Sequence, residues 1–309
     1  MPDPVPGIHH ITVIASDPQA NVDFYTGFLG LRLVKKTVNF DDPGTYHLYY
    51  GDDIGHPGTI LTFFPWPNAY SGRPGAGEVI TVAFTIPPDS LDHWLRLAKK
   101  RNISVTGPQN RATGEPYLSL QDPDGLPIEL VAETHGSGHA IQGFHSAALA
   151  LRNPEPTAEL LTKSFGFRLL EQHGDRLRFK AESSGPGHFV DLIAQPGSTP
   201  RGAMGAGTVH HIAWRTANDE TQKLWRRHLI EKGHNVTPVM DRQYFHSIYF
   251  REPGGVLFEI ATDPPGFTFD ETADQLGSGL KLPPWLEPER RAIEASLPPL
   301  ETHAGTTRA

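Results

Sequence analysis

The sequence contains no cysteine among its 309 residues. Its absence excludes disulfide bonds, thiolate metal sites, iron–sulfur clusters and a cysteine nucleophile. Long hydrophobic runs are also absent, since no stretch reaches the roughly 18 apolar residues of a membrane-spanning helix. The first ten residues, MPDPVPGIHH, lack the basic and apolar stretches of a signal peptide. We therefore expect a cytoplasmic protein with no membrane partner.

Positive charge is scarce. Lysine and arginine number 27 against 35 aspartates and glutamates, which gives a net charge of −8. No basic run is long enough to bind a polyanion, so a nucleic-acid partner is not expected. The 31 glycines and 29 prolines predict many short elements joined by turns. At about 100 to 200 residues per domain, the length suits two domains.

Two internal repeats organise the chain. Gly7-Ile8-His9-His10 resembles Gly143-Phe144-His145-Ser146 at an offset of 136 residues, and DPDGLPIELVAE from Asp122 resembles EPGGVLFEIATD from Glu252 at an offset of 130. Each quarter begins with a short apolar strand, continues with a helix and ends with strand-like segments. The pattern predicts an α+β fold of four β-α-β-β-β modules paired into two domains, each a curved mixed sheet enclosing a cavity.

The domain boundaries follow from composition. We expect an N-terminal domain at 1–135 and a C-terminal domain at 141–263, because the segment THGSGHAIQG between them is polar and rich in glycine. The remainder, 264–309, is a proline-rich tail with a short helix predicted at Glu287 to Ser296. It would pack on the body or on a neighbouring subunit, which leaves a homo-oligomer open.

Capping residues predict where the four helices of the modules begin. An N-cap side chain accepts hydrogen bonds from the first free N–H groups of a helix, and proline is favoured at the first helical position. The predicted starts are Asp17-Pro18, Ser90, Asn153-Pro154, and either Asn218 or Asp219.

Two histidine doublets stand at the start of strands in the first and fourth quarters. Because side chains alternate along a strand, one histidine of His9-His10 and one of His210-His211 should point to a given face. Glu259 lies within the apolar strand VLFEIA, where an unpaired charge would be costly. Two imidazoles and one carboxylate form the facial triad of non-haem Fe(II), which leaves about three of six coordination positions open. The alternative is that the doublets are ordinary polar strand residues and that Glu259 is salt-bridged in a core.

GIHHIT at Gly7, VHHIAW at Val209 and EPGGVLFEIATD resemble the vicinal-oxygen-chelate superfamily of glyoxalases, extradiol dioxygenases and bleomycin-resistance proteins, over roughly residues 7–263. With LPPWLEPERRAIEASLPPLE, the chain is similar to the ring-cleaving branch that acts on hydroquinones. The resemblance implies a metal bound by His10, His211 and Glu259. It also implies supporting roles for His9, Thr12 and His210, and substrate contacts from Arg242 and Tyr249 in DRQYFHSIYF.

The repeat offsets predict one metal site. The positions equivalent to the three ligands in the other quarters are Ser146, Thr81 and Glu129, so both imidazoles are missing and the second cavity should be metal-free. Glu129 would be a relic or a structural carboxylate paired with a base. Glyoxalase I-like sites resemble this one but use a carboxylate from each unit, and the equivalent position in the first quarter is Thr62. Three protein ligands favour oxygen activation over isomerase chemistry.

We therefore expect a dioxygenase that opens a hydroquinone or catechol ring with Fe(II) or Mn(II) and dioxygen. Tyr249 or a supporting histidine would handle the substrate proton, and Arg242 would neutralise a phenolate or carboxylate. In the alternative view Tyr249 only packs and Arg242 is solvated. Other functions remain open: a glyoxalase-type isomerase or hydrolytic metalloenzyme with Zn(II) or Ni(II), or a non-catalytic protein that sequesters an aromatic or quinone compound.

Overall fold

The computed structural model describes residues 2–133 and 138–302. Each quarter has the predicted β-α-β-β-β order. The first quarter contains β1 (Ile8–Ala15), α1 (Pro18–Gly27), β2 (Arg32–Asn39), β3 (Asp42–Gly51) and β4 (Ile60–Pro65). The second contains β5 (Glu78–Ile86), α2 (Leu91–Arg101), β6 (Val105–Asn110), β7 (Pro116–Gln121) and β8 (Pro127–Ala132). The third contains β9 (Phe144–Leu151), α3 (Glu155–Glu159), β10 (Arg168–His173), β11 (Arg176–Lys180) and β12 (Phe189–Ala194). The fourth contains β13 (Val209–Thr216), α4 (Asp219–Glu231), β14 (Met240–Asp241), β15 (Phe245–Arg251) and β16 (Leu257–Pro265).

The helix starts follow the predicted caps with one exception. Asp17 accepts the first free N–H groups of α1, and Asn218, rather than Asp219, accepts one from α4 at 3.0 Å. Asn153 lies just before the short helix α3 and accepts the N–H of Glu155. Ser90 occupies the predicted N-cap position of α2, but its hydroxyl donates to the Pro87 carbonyl and makes no capping hydrogen bond.

The sixteen strands form two eight-stranded mixed sheets. The first sheet has the order β14-β15-β16-β13-β1-β4-β3-β2 and curls into a half-barrel, and the second has the order β10-β11-β12-β9-β5-β8-β7-β6. Antiparallel pairing of β1 with β13 therefore joins the first quarter to the fourth, and β5 with β9 joins the second to the third. The predicted α+β fold of paired modules is confirmed. We call the concave face of the first sheet the first cup, and that of the second sheet the second cup.

The helices group the quarters differently from the sheets. In the first two quarters, Phe28 at the C-terminal end of α1 packs edge-on against Trp94 of α2, with ring centroids 5.8 Å apart. In the last two, Phe165 packs against Trp225 of α4 at 5.2 Å. The predicted division into 1–135 and 141–263 follows this helix packing, whereas each sheet takes strands from both parts. The division stays a prediction, and residues 134–137 at its boundary lie outside the described chain.

The segment after β16 packs on the body of the protein. Phe267 contacts the ring of Tyr49 inside the first cup, with centroids 5.0 Å apart. The predicted tail helix is confirmed as a 3₁₀ turn at Glu287–Glu289 followed by α5 (Arg290–Ser296). Beyond it, the carbonyl of Pro298 accepts a hydrogen bond from Tyr46 of β3. The last predicted tail residues, 303–309, lie outside the described chain. Within that chain, no helix has the length and apolar character needed to cross a membrane.

Candidate metal centre

A β-bulge lies at the first histidine of each doublet. Between Ile8 and His10 the pairing of β1 with β13 shifts, so that His9 is the extra residue on β1. After Thr12 a second shift makes His210 the extra residue on β13. Bulges re-aim side chains and are common beside active sites. The expectation of strict alternation is therefore wrong here, because both imidazoles of each doublet meet.

Three predicted ligands converge in the first cup. Nε2 of His10 lies 3.3 Å from Nε2 of His211, and Oε2 of Glu259 lies 3.3 Å from the first nitrogen and 2.9 Å from the second. All three side chains are buried. Oε1 of Glu259 accepts a hydrogen bond from Ser247, but Oε2 makes none of acceptable geometry. A buried carboxylate oxygen without a hydrogen bond lowers the free energy of unfolding unless a cation or a donor contacts it.

The protonation states of these groups suit metal binding. Burial by itself would raise the pKa of Glu259, but the facing imidazoles of His10 and His211 hold it well below its ordinary value. Burial lowers the pKa of His211, and Glu259 offsets only part of that effect. Near pH 7 the carboxylate is therefore ionised and the His211 imidazole is neutral, which are the forms that bind a metal ion.

The first histidine of each doublet contacts the second through its ring nitrogen. Nδ1 of His9 lies 2.9 Å from Nδ1 of His10, and Nδ1 of His210 lies 2.7 Å from Nδ1 of His211. Burial, followed by the neighbouring imidazole, lowers the pKa of His9 and lowers the pKa of His210 to about 3. Both rings are therefore neutral, so each has one nitrogen that can accept a hydrogen bond.

Arg242 and Tyr249 form a polar pair in the same cup. Tyr249 is the cross-strand partner of Glu259, and its ring lies 5.6 Å from that of His211. Arg242 donates its Nε–H to the Tyr249 hydroxyl at 3.3 Å and pairs with Asp41 at 3.0 Å. Burial and the charge of Glu259 raise the pKa of Tyr249. The phenol is therefore neutral, and it can donate or accept a hydrogen bond.

The strand register places Thr62 where the alignment predicted it. Thr12 pairs with Thr62, just as Ala213 pairs with Glu259, and both Thr12 and Ala213 follow a predicted ligand histidine by two residues. Thr62 thus occupies the position equivalent to Glu259 on the other half of the sheet. Its hydroxyl bonds to Thr12 at 3.0 Å rather than joining the group of three ligands.

His47 and Tyr49 of β3 also belong to the first cup, and neither was predicted from the sequence. His47 contacts Thr62 and Tyr49, each at 2.8 Å. The alternating segment TYHLYYG of β3 contains a single histidine, which resembles a solvent-facing residue. A usable signal existed, because residues two apart share one face of a strand and Thr62 already marked the neighbouring strand.

The second cup holds an arginine where the first holds the ligand cluster. Arg111 approaches the Ser146 hydroxyl at 3.2 Å and pairs with Glu129. Glu129 is therefore paired with a base, as one of the two predicted alternatives proposed. A cavity of about 180 Å³ lies beside Arg111. Thr81, the third equivalent position, lies on β5 opposite Ala148 of β9.

Comparison with known proteins gives one family. The family model described as "Glyoxalase/Bleomycin resistance protein/Dioxygenase superfamily" matches residues 7–130 and 143–260. The chain is 47% identical to MhqO of Bacillus subtilis strain 168, provisionally named a ring-cleaving dioxygenase, over 96% of each chain. It is 35% identical to the chlorohydroquinone/hydroquinone 1,2-dioxygenase of Sphingobium indicum, over 93% of this chain and 94% of that one.

A solved structure gives the same result for the fold. A Bacillus subtilis protein described provisionally as a dioxygenase superposes with a TM-score of 0.93 at 46% identity, over 98% of this chain and all of that one. The family match spans most of the described strands, and it includes the strands that carry both histidine doublets and Glu259. The chain therefore belongs to the Glyoxalase/Bleomycin resistance protein/Dioxygenase superfamily.

Proposed function

We propose that the protein is a ring-cleaving dioxygenase that opens a hydroquinone- or catechol-type ring with dioxygen and a mononuclear non-haem metal ion. The observation that carries the proposal is the convergence of two imidazole nitrogens and one unpartnered carboxylate oxygen, from His10, His211 and Glu259, inside a buried cup. The names of relatives 35% and 47% identical over nearly the whole chain support the reaction class.

Fe(II) is the proposed metal, with Mn(II) as the alternative. His10, His211 and Glu259 would hold it, since two imidazoles and one carboxylate are the donor set of non-haem Fe(II) oxygenases. When bound, the metal supplies open coordination positions at which an ionised ring hydroxyl and dioxygen can meet. The unpartnered Oε2 of Glu259 supports this fit, because a cation there would remove its cost of burial.

The remaining polar residues would prepare the substrate. Tyr249 lies beside His211 and Glu259, so its neutral hydroxyl is placed to donate a hydrogen bond to a ring oxygen that ionises on binding, and a supporting histidine would take the proton. Arg242, which bonds to that hydroxyl, would stabilise the resulting anion. His9 and His210 would orient the two ligand imidazoles through their Nδ1 contacts.

Two other functions use the same fold differently. A glyoxalase-type isomerase with Zn(II) or Ni(II) would use a fourth protein ligand, but Thr62 at that position is bonded to Thr12 and His47. A protein that only sequesters an aromatic compound would not need a buried, ionised Glu259 facing two imidazoles. Both observations favour the dioxygenase.

Metal analysis and oxygen uptake test the proposal together. In protein purified without oxygen, His10→Ala, His211→Ala and Glu259→Gln should each lose most of the bound metal and of the oxygen uptake with hydroquinone or catechol, while circular dichroism shows an unchanged fold. His9→Ala is the matched control, because it removes a supporting imidazole. We expect it to keep the metal and to turn over about 10- to 100-fold more slowly.

Two results would contradict the proposal. If metal content survives any of the three ligand substitutions, that ligand is assigned wrongly. If the wild-type protein isomerises a thiol adduct of an α-ketoaldehyde without oxygen and consumes none with any dihydroxybenzene, the reaction class is wrong.

A further inference from the structure

A chain of hydrogen bonds crosses the inner wall of the first cup from β3 to β1. The Tyr49 hydroxyl lies 2.8 Å from Nδ1 of His47, and Nε2 of His47 lies 2.8 Å from the hydroxyl of Thr62. The Thr62 hydroxyl lies 3.0 Å from that of Thr12, which is two residues beyond the proposed ligand His10. A continuous set of polar groups therefore connects Tyr49 on β3 with Thr12 on β1, the strand that carries His10.

The far end of this chain lies in an apolar environment. Tyr49 is buried, and its neighbours in the cup form a single hydrophobic cluster. The cluster includes Ile60, Ala213, Tyr244, Phe245, Ala261 and Phe267. Ligand sites are commonly apolar cavities in which a few placed polar groups fix the orientation of the ligand. The Tyr49 hydroxyl is such a group.

Tyr49 and His47 share the space of the metal centre. Burial raises the pKa of Tyr49, with Tyr249 as the next cause. Burial lowers the pKa of His47, with His10 and His211 as the next causes. Electrostatic effects of this kind fall off with distance. The ring of Phe245 lies 4.9 Å from that of His10 and 6.4 Å from that of Tyr49, so the polar chain and the proposed ligands face the same interior.

The chain has unused hydrogen-bonding capacity at the Tyr49 end. A neutral imidazole has one donor nitrogen and one acceptor nitrogen, so His47 donates a hydrogen bond to one of Tyr49 and Thr62 and accepts one from the other. Whether the Tyr49 hydroxyl donates to His47 or accepts from it, its oxygen can take part in one more hydrogen bond. Within residues 2–133 and 138–302, the Tyr49 hydroxyl has His47 as its hydrogen-bond partner. A ligand oxygen could supply the second bond.

We infer that Tyr49, held in place by His47, binds the ring oxygen that is not at the metal and so selects para-dihydroxybenzenes over ortho-dihydroxybenzenes. The inference rests on the proposed function. β4 lies between β3 and β1, and neighbouring strands lie about 4.8 Å apart, so Tyr49 and Thr12 are separated by about 10 Å of sheet. A catechol carries both oxygens at one end of the ring, within reach of the metal. A hydroquinone carries its second oxygen at the opposite end, toward Tyr49.

Anaerobic binding of three probes to the metal-loaded protein tests the inference. Hydroquinone, catechol and phenol would be titrated into the wild type and into Tyr49→Phe by calorimetry. We expect the wild type to bind hydroquinone about tenfold more tightly than phenol, the effect of one hydrogen bond. Tyr49→Phe should bring the two affinities together and leave phenol binding unchanged.

Tyr50→Phe is the matched control. Tyr50 is the next residue on β3, is equally buried, and bonds to Asn21 of α1 on the opposite face, so the preference for hydroquinone should persist. His47→Phe, which keeps an aromatic ring against Phe64 but removes the bond to Tyr49, provides a second test and should also weaken the preference.

The outcomes separate this inference from the proposed function. A preference for hydroquinone that is undiminished in both Tyr49→Phe and His47→Phe, or a wild type that binds catechol more tightly than hydroquinone, overturns the inference even if rings are cleaved. A wild type that consumes no oxygen with any diol overturns the proposed function, while the affinity ratios still decide the role of Tyr49.

Discussion

Four histidines of the first cup should make the metal-free protein sensitive to acid. Burial lowers the pKa of each of His9, His47, His210 and His211 from its ordinary 6.5. Below pH 6.5 the unfolded chain takes up protons that the folded chain refuses, so the free energy of unfolding falls as the pH falls. Each such proton contributes a slope of about 1.4 kcal/mol per pH unit.

Urea unfolding of the metal-free protein at pH 7.5 and pH 5.5 measures this effect. We expect a lower free energy of unfolding at pH 5.5 than at pH 7.5. The loss should be smaller in His210→Gln, because the pKa of His210 in the folded protein is about 3 and its substitution removes one group that takes up a proton only on unfolding. The exposed His56, substituted in the same way, is the control. An unchanged pH dependence in His210→Gln would mean that His210 is charged in the folded protein.

At the residue scale, the sequence predicted which side chains meet but not how the backbone brings them together. The doublets and Glu259 were found because the repeat offsets marked them. The bulges at His9 and His210 were not, since an extra residue in a strand leaves no compositional signal in a buried, apolar segment. His47 was missed for a different reason, because a single histidine in an alternating strand resembles a solvent-facing residue.

At the scale of elements, the segment after β16 closes the open side of the first sheet through a buried lysine. Lys35 of β2 is fully buried and pairs with Asp270 and Glu271, and Asp270 also accepts a hydrogen bond from Tyr244 beside β15. The two ends of the sheet are thereby bridged. The sequence could not predict this contact, because in RLVKKTVN either lysine fits a solvent-facing position of an alternating strand.

Removal of the buried Lys35 charge should lower the free energy of unfolding. Lys35→Met leaves two carboxylates without their cation, and breaking a buried pair in this way costs roughly 3 to 5 kcal/mol of unfolding free energy. Lys36→Met is the matched control, since Lys36 lies next to it on β2, is only half-buried and forms no ion pair within the described chain. Urea unfolding of both variants at pH 7.5 provides the measurement. Equal stability of the two variants would show that the bridge does not hold the sheet closed.

At the scale of the whole molecule, each of the four modules pairs with one module through its sheet and with a different module through its helix. The repeats predicted the modules and their order, because each module needs a capped helix and a set of apolar strands. They did not predict that sheets join quarters one and four while helices join quarters one and two, since every module has both a sheet edge and a helix face to bury. The candidate metal centre depends on the first kind of pairing, because its proposed ligands come from β1, β13 and β16.

This double pairing creates two cups, and only the first should bind metal. In the second, Arg111 bonds to Ser146 and Glu129 at the positions equivalent to two ligands, so a positive charge is already present there. We expect one metal ion per chain in the wild type and none in His10→Ala, measured by elemental analysis after removal of loosely bound ions. Arg111→Met should lose stability, because Glu129 loses its partner, but should still bind one ion, because Ser146 and Thr81 carry no imidazole. A second ion bound by the wild type, or gained in Arg111→Met, would show that the second cup can bind metal without imidazole ligands.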